Sequence, residues 1–260
     1  MFSKDFSVAY DSLPRFSKVI DFSHLRSAFR ENGIENSSFF WIKNLGYVPF
    51  LSENFHHVPS HPDDMNDHAV SSLYAFNAAP EIGAFFYYIK KLYDIDIAIE
   101  SGTNVGHSSR YFSTYFKEVH TVEVDNNYFR KSSNILKDCS NVHCHFGSSD
   151  KIFNKILPLL KNKRIFFWLD GHGCGPWPLL NELEEISKTH KNNCVITVDD
   201  FKIPGRPDIK FDKWNNQECS YEYISEKLNL VFSDYYCSYL VPANINARAK
   251  FIAVPKFWAN

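Results

Sequence analysis

Short apolar runs alternate with amphipathic segments from residue 94 onwards. The strongest runs are RIFFWLD (164–170) and CVITVDD (194–200), each almost wholly apolar up to a terminal acid. Such runs are typical of strands that are covered on both faces of a sheet. Between them, residues 176–190 begin with two prolines and then repeat leucine and isoleucine at helical spacing, which predicts a helix.

The same alternation extends over the rest of this region and predicts an α/β fold. Predicted strands cover residues 94–100, 118–125, 142–146, 164–170 and 194–200, with a closing pair within 230–240 and 249–257. Predicted helices cover residues 106–116, 128–138, 150–160, 176–190 and 220–228. Strands that alternate with helices form parallel sheets through right-handed crossovers, so we expect a doubly wound open sheet. Ligands of such sheets bind beyond the carboxyl ends of the strands.

Residues 1–93 have a less regular pattern, and we interpret them as an N-terminal extension packed on a domain of residues 94–260. Helical patterns flank a polar, proline-bearing stretch within this extension. It contains the densest histidine cluster of the chain, at His56, His57, His61 and His68. Because this stretch resembles a loop, we predict that residues 54–70 form part of a lid over the substrate pocket; a metal site at these histidines is the alternative.

Composition narrows the function classes. The 260 residues carry a net charge of −2, so no overall basic field favours nucleic acid as a partner. No apolar run is long enough for a membrane span, and the N-terminal residues lack the pattern of a signal peptide, so we expect a cytoplasmic protein without a membrane partner. The six cysteines form no C-x-x-C pair, and we expect reduced thiols.

The turn after the first strand has the features of a ligand-binding loop. Gly102 and Gly106 stand four apart where the strand meets a helix, which allows a ligand to approach the backbone closely. The first glycine of a dinucleotide fingerprint is missing, which disfavours NAD. Glu123, about 20 residues further on, stands at a strand end that suits contact with ribose hydroxyls, whereas Asp125 is interpreted as a helix N-cap. After the third strand, Ser149 fits either an adenine contact or a helix cap.

The ordered motifs E-x-G-T-x-x-G-x-S (100–108), an acid after the second strand and G-S-S (147–149) resemble class I S-adenosylmethionine-dependent methyltransferases. The similarity points especially to the metal-dependent branch with catechol and macrocin-type O-methyltransferases. It implies a Rossmann-like, doubly wound, seven-stranded sheet with an antiparallel last strand, here with an N-terminal helical extension, and S-adenosyl-L-methionine as cofactor. The residues assigned to the cofactor in this way are Glu100, Gly102, Thr103, Asn104, Gly106, Ser108, Glu123, Ser148 and Ser149.

Three acids follow the two most apolar strands. Asp170 ends the fourth strand, and Asp199 and Asp200 end the fifth. Neighbouring parallel strands are about 4.8 Å apart, so these carboxylates converge at one edge of the sheet. An all-oxygen set fits Mg²⁺ or another hard divalent cation. In the resembling family, acids at these positions hold the metal, and the Asp-Asp pair looks more like the macrolide-sugar branch.

Candidate catalytic residues are His172 and Asp170. His172 stands two residues beyond Asp170 and is predicted to be the general base, with a plain hydrogen bond in the turn as the alternative. Lys202, Arg206 and Trp214, in the loop after the acid pair, are weaker candidates for binding an anionic or sugar substrate.

These residues predict a metal-assisted, S-adenosylmethionine-dependent O-methyltransferase. We expect its acceptor to be a hydroxyl of a sugar or glycosylated small molecule, and the sequence leaves a homo-oligomer open. The alternatives are a metal-independent N- or carboxyl methyltransferase of the same fold and a non-catalytic Rossmann-like binding module.

Overall fold

The computed structural model describes residues 19–21, 39–42, 46–49, 74–77, 79–172, 176–242 and 248–259. The strands are β1 (Val19–Asp21), β2 (Phe39–Ile42), β3 (Gly46–Pro49), β4 (Ile97–Ser101), β5 (Glu118–Glu123), β6 (Val142–Phe146), β7 (Ile165–Leu169), β8 (Cys194–Val198), β9 (Lys213–Trp214), β10 (Gln217–Glu218), β11 (Tyr235–Val241) and β12 (Lys250–Pro255). The helices are α1 (Pro80–Leu92), α2 (His107–Ser113), α3 (Asn126–Ile135), α4 (Ser149–Ile156), α5 (Leu179–Thr189) and α6 (Tyr221–Val231), with 3₁₀ turns at Leu157–Leu160 and Lys256–Ala259.

One large sheet has the strand order β1-β11-β12-β8-β7-β4-β5-β6. Its strands are parallel except for β12, which pairs antiparallel with both β8 and β11. Seven of these strands are those expected from the sequence, with the antiparallel strand last in the chain, so the predicted fold class is confirmed.

The eighth strand of the sheet was not predicted. β1 pairs in parallel with β11 at one edge and comes from the segment that was interpreted as a helical extension. Its three residues are too few for the period-two alternation by which a strand is recognised. The β2–β3 hairpin in the same segment was also missed.

Both faces of the sheet are covered. Alternate residues of β7 point to opposite faces, so Phe166 and Trp168 pack towards α1 and α2 whereas Phe167 packs towards α4 and α5. Aromatic rings fill the first of these layers: Phe86 lies 4.9 Å from Phe166 and 5.4 Å from Trp168, centroid to centroid. Helix α1, which lies within residues 1–93, is therefore part of the main core.

The edge strand β6 carries stacked histidines. The ring of His120, on β5, stacks on His143 at 4.9 Å, and its Nδ1 lies 2.9 Å from Nε2 of His145. Burial lowers the pKa of His145 to about 4, and the neighbouring His120 and His143 add to this effect. The rings of His120, whose pKa burial also lowers, and His145 are therefore neutral in the folded protein near pH 7.

No helix within the described ranges is long and apolar enough to cross a membrane.

We predict that Phe86→Ala lowers the free energy of unfolding by about 3–5 kcal/mol, because it opens a cavity in the aromatic layer that cannot fully close. Urea denaturation measures this change. Phe257→Ala is the control, because Phe257 is 58% exposed and its loss is expected to cost less than about 0.5 kcal/mol. Equal losses in the two variants would contradict this description of the core.

Candidate active site

The sequence-predicted site residues gather along the carboxyl edge of the sheet. The chain after β4 leads towards β5 and β6, whereas β7 and β8 lie on the other side of β4, so the strand order reverses between β4 and β7. A reversal of this kind opens a crevice for ligands. The cofactor residues lie on one side of this crevice, and the acids lie on the other.

The glycine loop after β4 is pressed against the chain that follows β7. Gly102 has φ +82°, and a Cβ atom placed on it would lie 2.3 Å from the carbonyl oxygen of Asp170. Asn104 and Gly106 also have left-handed backbone, with φ of 50° and 92°. Only glycine fits at position 102, and the close contact fixes the distance between the two halves of the site.

Glu123 faces this loop from the end of β5. Its Oε2 accepts a hydrogen bond from the backbone N–H of Asn104 at 2.8 Å, and its Oε1 accepts one from Asp125 at 2.9 Å. Each carboxylate oxygen has a second acceptor position, so the group can still bind hydroxyls. Asp125 caps α3 by accepting from the N–H groups of Asn127 and Tyr128, which confirms its predicted N-cap role.

Glu100 lies beneath the loop and contacts other side chains. Its Oε2 accepts hydrogen bonds from the hydroxyls of Ser109 and Thr121, and the Thr121 hydroxyl also lies 2.6 Å from that of Thr103. Burial raises the pKa of Glu100 to about 7. These contacts support the loop from below. Ser108, another predicted cofactor residue, accepts a hydrogen bond from the N–H of Phe76 at 3.2 Å.

The serines after β6 are not helix caps. Ser148 occupies the N-cap position of α4, but its hydroxyl donates to Asp150 and caps no backbone N–H. Ser149 is the first helical residue, and its hydroxyl donates to Glu182 of α5, so the cap interpretation of Ser149 is wrong. Glu182 is fully buried, and burial raises its pKa to about 7. No sequence signal distinguishes Glu182 from the other polar residues of its helix.

Across the crevice, a buried lysine holds one of the predicted metal acids. Lys250, the first residue of β12, has no exposed surface and donates to Oδ1 of Asp199, which is also fully buried. The Lys250 ammonium lies 4.0 Å from Oδ1 of Asp200 and 5.9 Å from the ring centroid of Trp168. Lys250 was missed because it begins an otherwise apolar strand.

Arg248 and Asp212 complete the charged cluster. The Arg248 guanidinium donates to Oδ2 of Asp200 at 2.6 Å and also to Oδ1 of Asp212. The N–H of Asp212 donates to the carbonyl of Asp200 at 2.9 Å. Neither residue carries a local sequence signal, because Asp212 lies in a loop and Arg248 is distant from the acid pair along the chain.

The three predicted metal acids lie in different environments. Asp170 follows β7 with 33% of its side chain exposed, and burial together with the Asp199 and Asp200 carboxylates raises its pKa. Burial also raises the pKa of Asp199, against the opposing effect of Lys250. For Asp200, by contrast, Lys250 and Arg248 outweigh burial and lower the pKa.

His172 lies among these acids with its side chain 3% exposed. Its Nε2 is 3.7 Å from Oδ1 of Asp170 and 3.5 Å from Oδ2 of Asp212, and it has no hydrogen-bond partner in the described part of the chain. Burial lowers its pKa to about 4; Asp200 opposes this effect, and Lys250 and Arg248 add to it. The ring is therefore neutral near pH 7, with a lone pair for a proton or a metal.

Two of the three weaker candidates for substrate binding form ion pairs with acids of residues 208–218. Lys202 donates to Glu218, and Arg206 donates to Asp208. Trp214 is 38% exposed on β9. The histidine cluster of residues 54–70 lies outside the described residues, as does the turn 173–175 after His172.

We predict that Gly102→Ala lowers the free energy of unfolding by about 1–3 kcal/mol more than Gly205→Ala does, because only the former must displace the Asp170 carbonyl. Gly205 is a matched control: its φ is +76°, and a Cβ there would have no atom within 4 Å. The cost of left-handed backbone is therefore common to both. Thermal and urea denaturation measure the difference, and equal stability would contradict the close contact.

Neither a protein-family model nor a curated protein matches the chain. Its fold is similar to solved methyltransferase structures. An O-methyltransferase from Bacillus cereus, solved in complex with SAH, superposes with a TM-score of 0.52 at 16% identity, over 72% of this chain and 86% of that one. The O-methyltransferase TomG from Streptomyces achromogenes, involved in tomaymycin synthesis and solved with SAM, gives 0.51 at 14% identity, over 76% and 92%. These likenesses show that the chain has the Rossmann-like fold of class I methyltransferases.

Proposed function

We propose that this chain is an S-adenosylmethionine-dependent O-methyltransferase that uses a divalent cation and methylates a hydroxyl of a sugar or glycosylated small molecule. One observation carries the proposal: the Gly102 contact brings the Glu123 side of the crevice directly against the acid cluster at Asp170. A nucleoside and a hydroxylated acceptor bound on the two sides would meet at this contact.

The cofactor side fits a nucleoside. Glu123 keeps acceptor positions for ribose hydroxyls, and Gly102 and Gly106 leave the loop backbone open to a close ligand. The start of α4, at Ser148 and Ser149, follows the adjacent strand and suits the adenine edge. When bound, S-adenosylmethionine supplies a methyl group on a positively charged sulfur.

The acid side fits a divalent cation by charge. Among the described residues of the cluster, four carboxyl groups face two cationic side chains, Lys250 and Arg248, so the acids outnumber the cations by two, and a divalent cation would balance their ionised forms. In addition, Oδ1 of Asp200 is buried and has no hydrogen-bond partner among those residues. The acids predicted to hold the cation are Asp170, Asp199 and Asp200, and Mg²⁺ is the predicted ion. When bound, the cation stabilises negative charge on the acceptor oxygen.

Methylation of a hydroxyl releases one proton, which a protein group must accept. Asp170 and His172 are the candidates, because both lie at the end of β7 on the acid side of the crevice. Asp170 is partly exposed, and His172 is neutral near pH 7 because burial lowers its pKa to about 4. The sugar acceptor is proposed from the Asp199–Asp200 pair, which resembles that of the macrolide-sugar branch.

A metal-independent methyltransferase is the second candidate. Lys250 and Arg248 already pair with Asp199 and Asp200, so protein cations supply part of the charge that a metal would bring. In that enzyme the acids would shape the pocket and the acceptor would be a nitrogen or a carboxylate. Metal dependence of turnover separates the two candidates.

We expect the protein to transfer a labelled methyl group from S-adenosylmethionine to a member of a panel of sugars and glycosylated metabolites. Chelation by EDTA should abolish transfer, and added Mg²⁺ or Mn²⁺ should restore it. Transfer that persists in EDTA would support the metal-independent candidate. No transfer, together with no binding of S-adenosylhomocysteine, would contradict both and favour a non-catalytic module.

We predict that Glu123→Ala weakens S-adenosylhomocysteine binding by about 1.5–3 kcal/mol, or roughly 10- to 150-fold, because charge-assisted hydrogen bonds to the ribose are lost. Isothermal titration calorimetry measures the affinity. Asp125→Ser is the control, since serine preserves the N-cap of α3 and Asp125 is assigned no cofactor contact. Unchanged affinity in folded Glu123→Ala would remove Glu123 from the cofactor site.

A further inference from the structure

We propose that His172, Asp200 and Asp212 ligate the cation. At Asp199, which the family resemblance predicts to be a metal ligand, the Lys250 ammonium takes the place of the ion. This inference rests on the proposed use of a divalent cation. It changes two of the three predicted ligands and the class of ion.

Both oxygens of Asp199 are already engaged by protein donors. Its Oδ1 accepts from Lys250 and from the N–H of Asp200 at 2.6 Å, and its Oδ2 accepts from the side-chain amide of Asn77 at 3.2 Å. An ion on Oδ1 of Asp199 would displace Lys250 and leave a fully buried ammonium without its partner. Such an unpaired buried charge is strongly unfavourable.

Arg248 binds one oxygen of each of the two carboxylates Asp200 and Asp212. It binds Oδ2 of Asp200 and Oδ1 of Asp212, which leaves Oδ1 of Asp200 and Oδ2 of Asp212 for another cation. The remaining oxygen of Asp200 is buried and makes no hydrogen bond to any described residue. Burial of an unsatisfied carboxylate oxygen is unfavourable unless a ligand binds it.

His172 supplies the third donor atom. Its Nε2 is buried, lacks a hydrogen bond within the described ranges, and lies 3.5 Å from Oδ2 of Asp212. Each of the three residues offers one donor atom, and these atoms all lie within 4.8 Å of one another. Ligands about 2.1 Å from an ion are about 3–4 Å apart, so a small contraction would complete the set.

One nitrogen and two oxygens suit a different ion from an all-oxygen set. Imidazole favours first-row transition metals, whereas Mg²⁺ prefers oxygen and water. We therefore expect Mn²⁺ or a similar ion to bind more tightly than Mg²⁺. A nitrogen that ligates a metal cannot also accept the acceptor's proton, so ligation by His172 and its predicted role as base exclude each other.

Calorimetric titration of the full chain with Mn²⁺ tests the ligand set. Asp212→Asn should weaken Mn²⁺ binding by at least about tenfold. Asp208→Asn is the matched control, because Asp208 lies exposed on the same loop and pairs with Arg206. Unchanged affinity in Asp212→Asn, or no Mn²⁺ binding by the wild type, would overturn the proposal.

Electron spin echo modulation of the Mn²⁺-loaded wild type gives a readout that needs no variant. We expect a coupled ¹⁴N nucleus from the imidazole in the wild type. In His172→Gln this coupling should disappear, and Mn²⁺ should bind at least about tenfold more weakly. An all-oxygen environment in the wild type would overturn the proposal, as would normal metal affinity in His172→Gln, which is the result expected of a base.

Titration with S-adenosylhomocysteine of the same wild-type protein, free of metal, separates this proposal from the proposed function. If the Mn²⁺-loaded wild type gives no ¹⁴N signal but binds S-adenosylhomocysteine normally, the proposed ligand set alone would be overturned. A ¹⁴N-coupled Mn²⁺ site without S-adenosylhomocysteine binding would instead contradict the methyltransferase and leave the metal ligands standing.

Discussion

The buried ion pair between Lys250 and Asp199 sets the geometry of the candidate site. A lysine without exposed surface is tolerated only where a carboxylate balances it, so each residue requires the other. The topology explains how they meet. β12 runs antiparallel to β8, so the first residue of β12 lies at the edge where β8 ends. The antiparallel strand β12 therefore begins with Lys250 at the same edge of the sheet where the parallel strands β7 and β8 end and are followed by Asp170 and Asp199.

This ion pair also connects the site to the core. The Lys250 ammonium lies over the ring of Trp168, and the rings of Phe76 and Phe86 also contact Trp168. Through Trp168, the acid cluster is therefore in contact with the aromatic layer that includes Phe86 of α1. Rigid packing of this kind holds charged groups at fixed distances, which a site with several like charges requires.

Most of the fold could be predicted from the sequence, because each central strand is an apolar run and each helix has its own periodicity. The positions of Asp170, Asp199 and Glu123 could also be predicted, because these residues lie at strand ends and parallel strands all end at one edge of the sheet. The remaining site residues carry no local signal. Asp212 and Arg248 reach the cluster through loops, and Glu182 looks like one more polar residue of an amphipathic helix although it is fully buried. β1 is too short to show a pattern.

The short strand β1 has a consequence for solubility. Within the described residues, the large sheet ends at β1 and β6. An uncovered strand edge offers backbone groups that can pair with another molecule. β6 has five residues, whereas β11 is a longer, seven-residue strand rich in tyrosine. Because β1 pairs with residues Tyr239 to Val241 of β11, removal of residues 1–21 would uncover that edge and favour aggregation through intermolecular β-pairing.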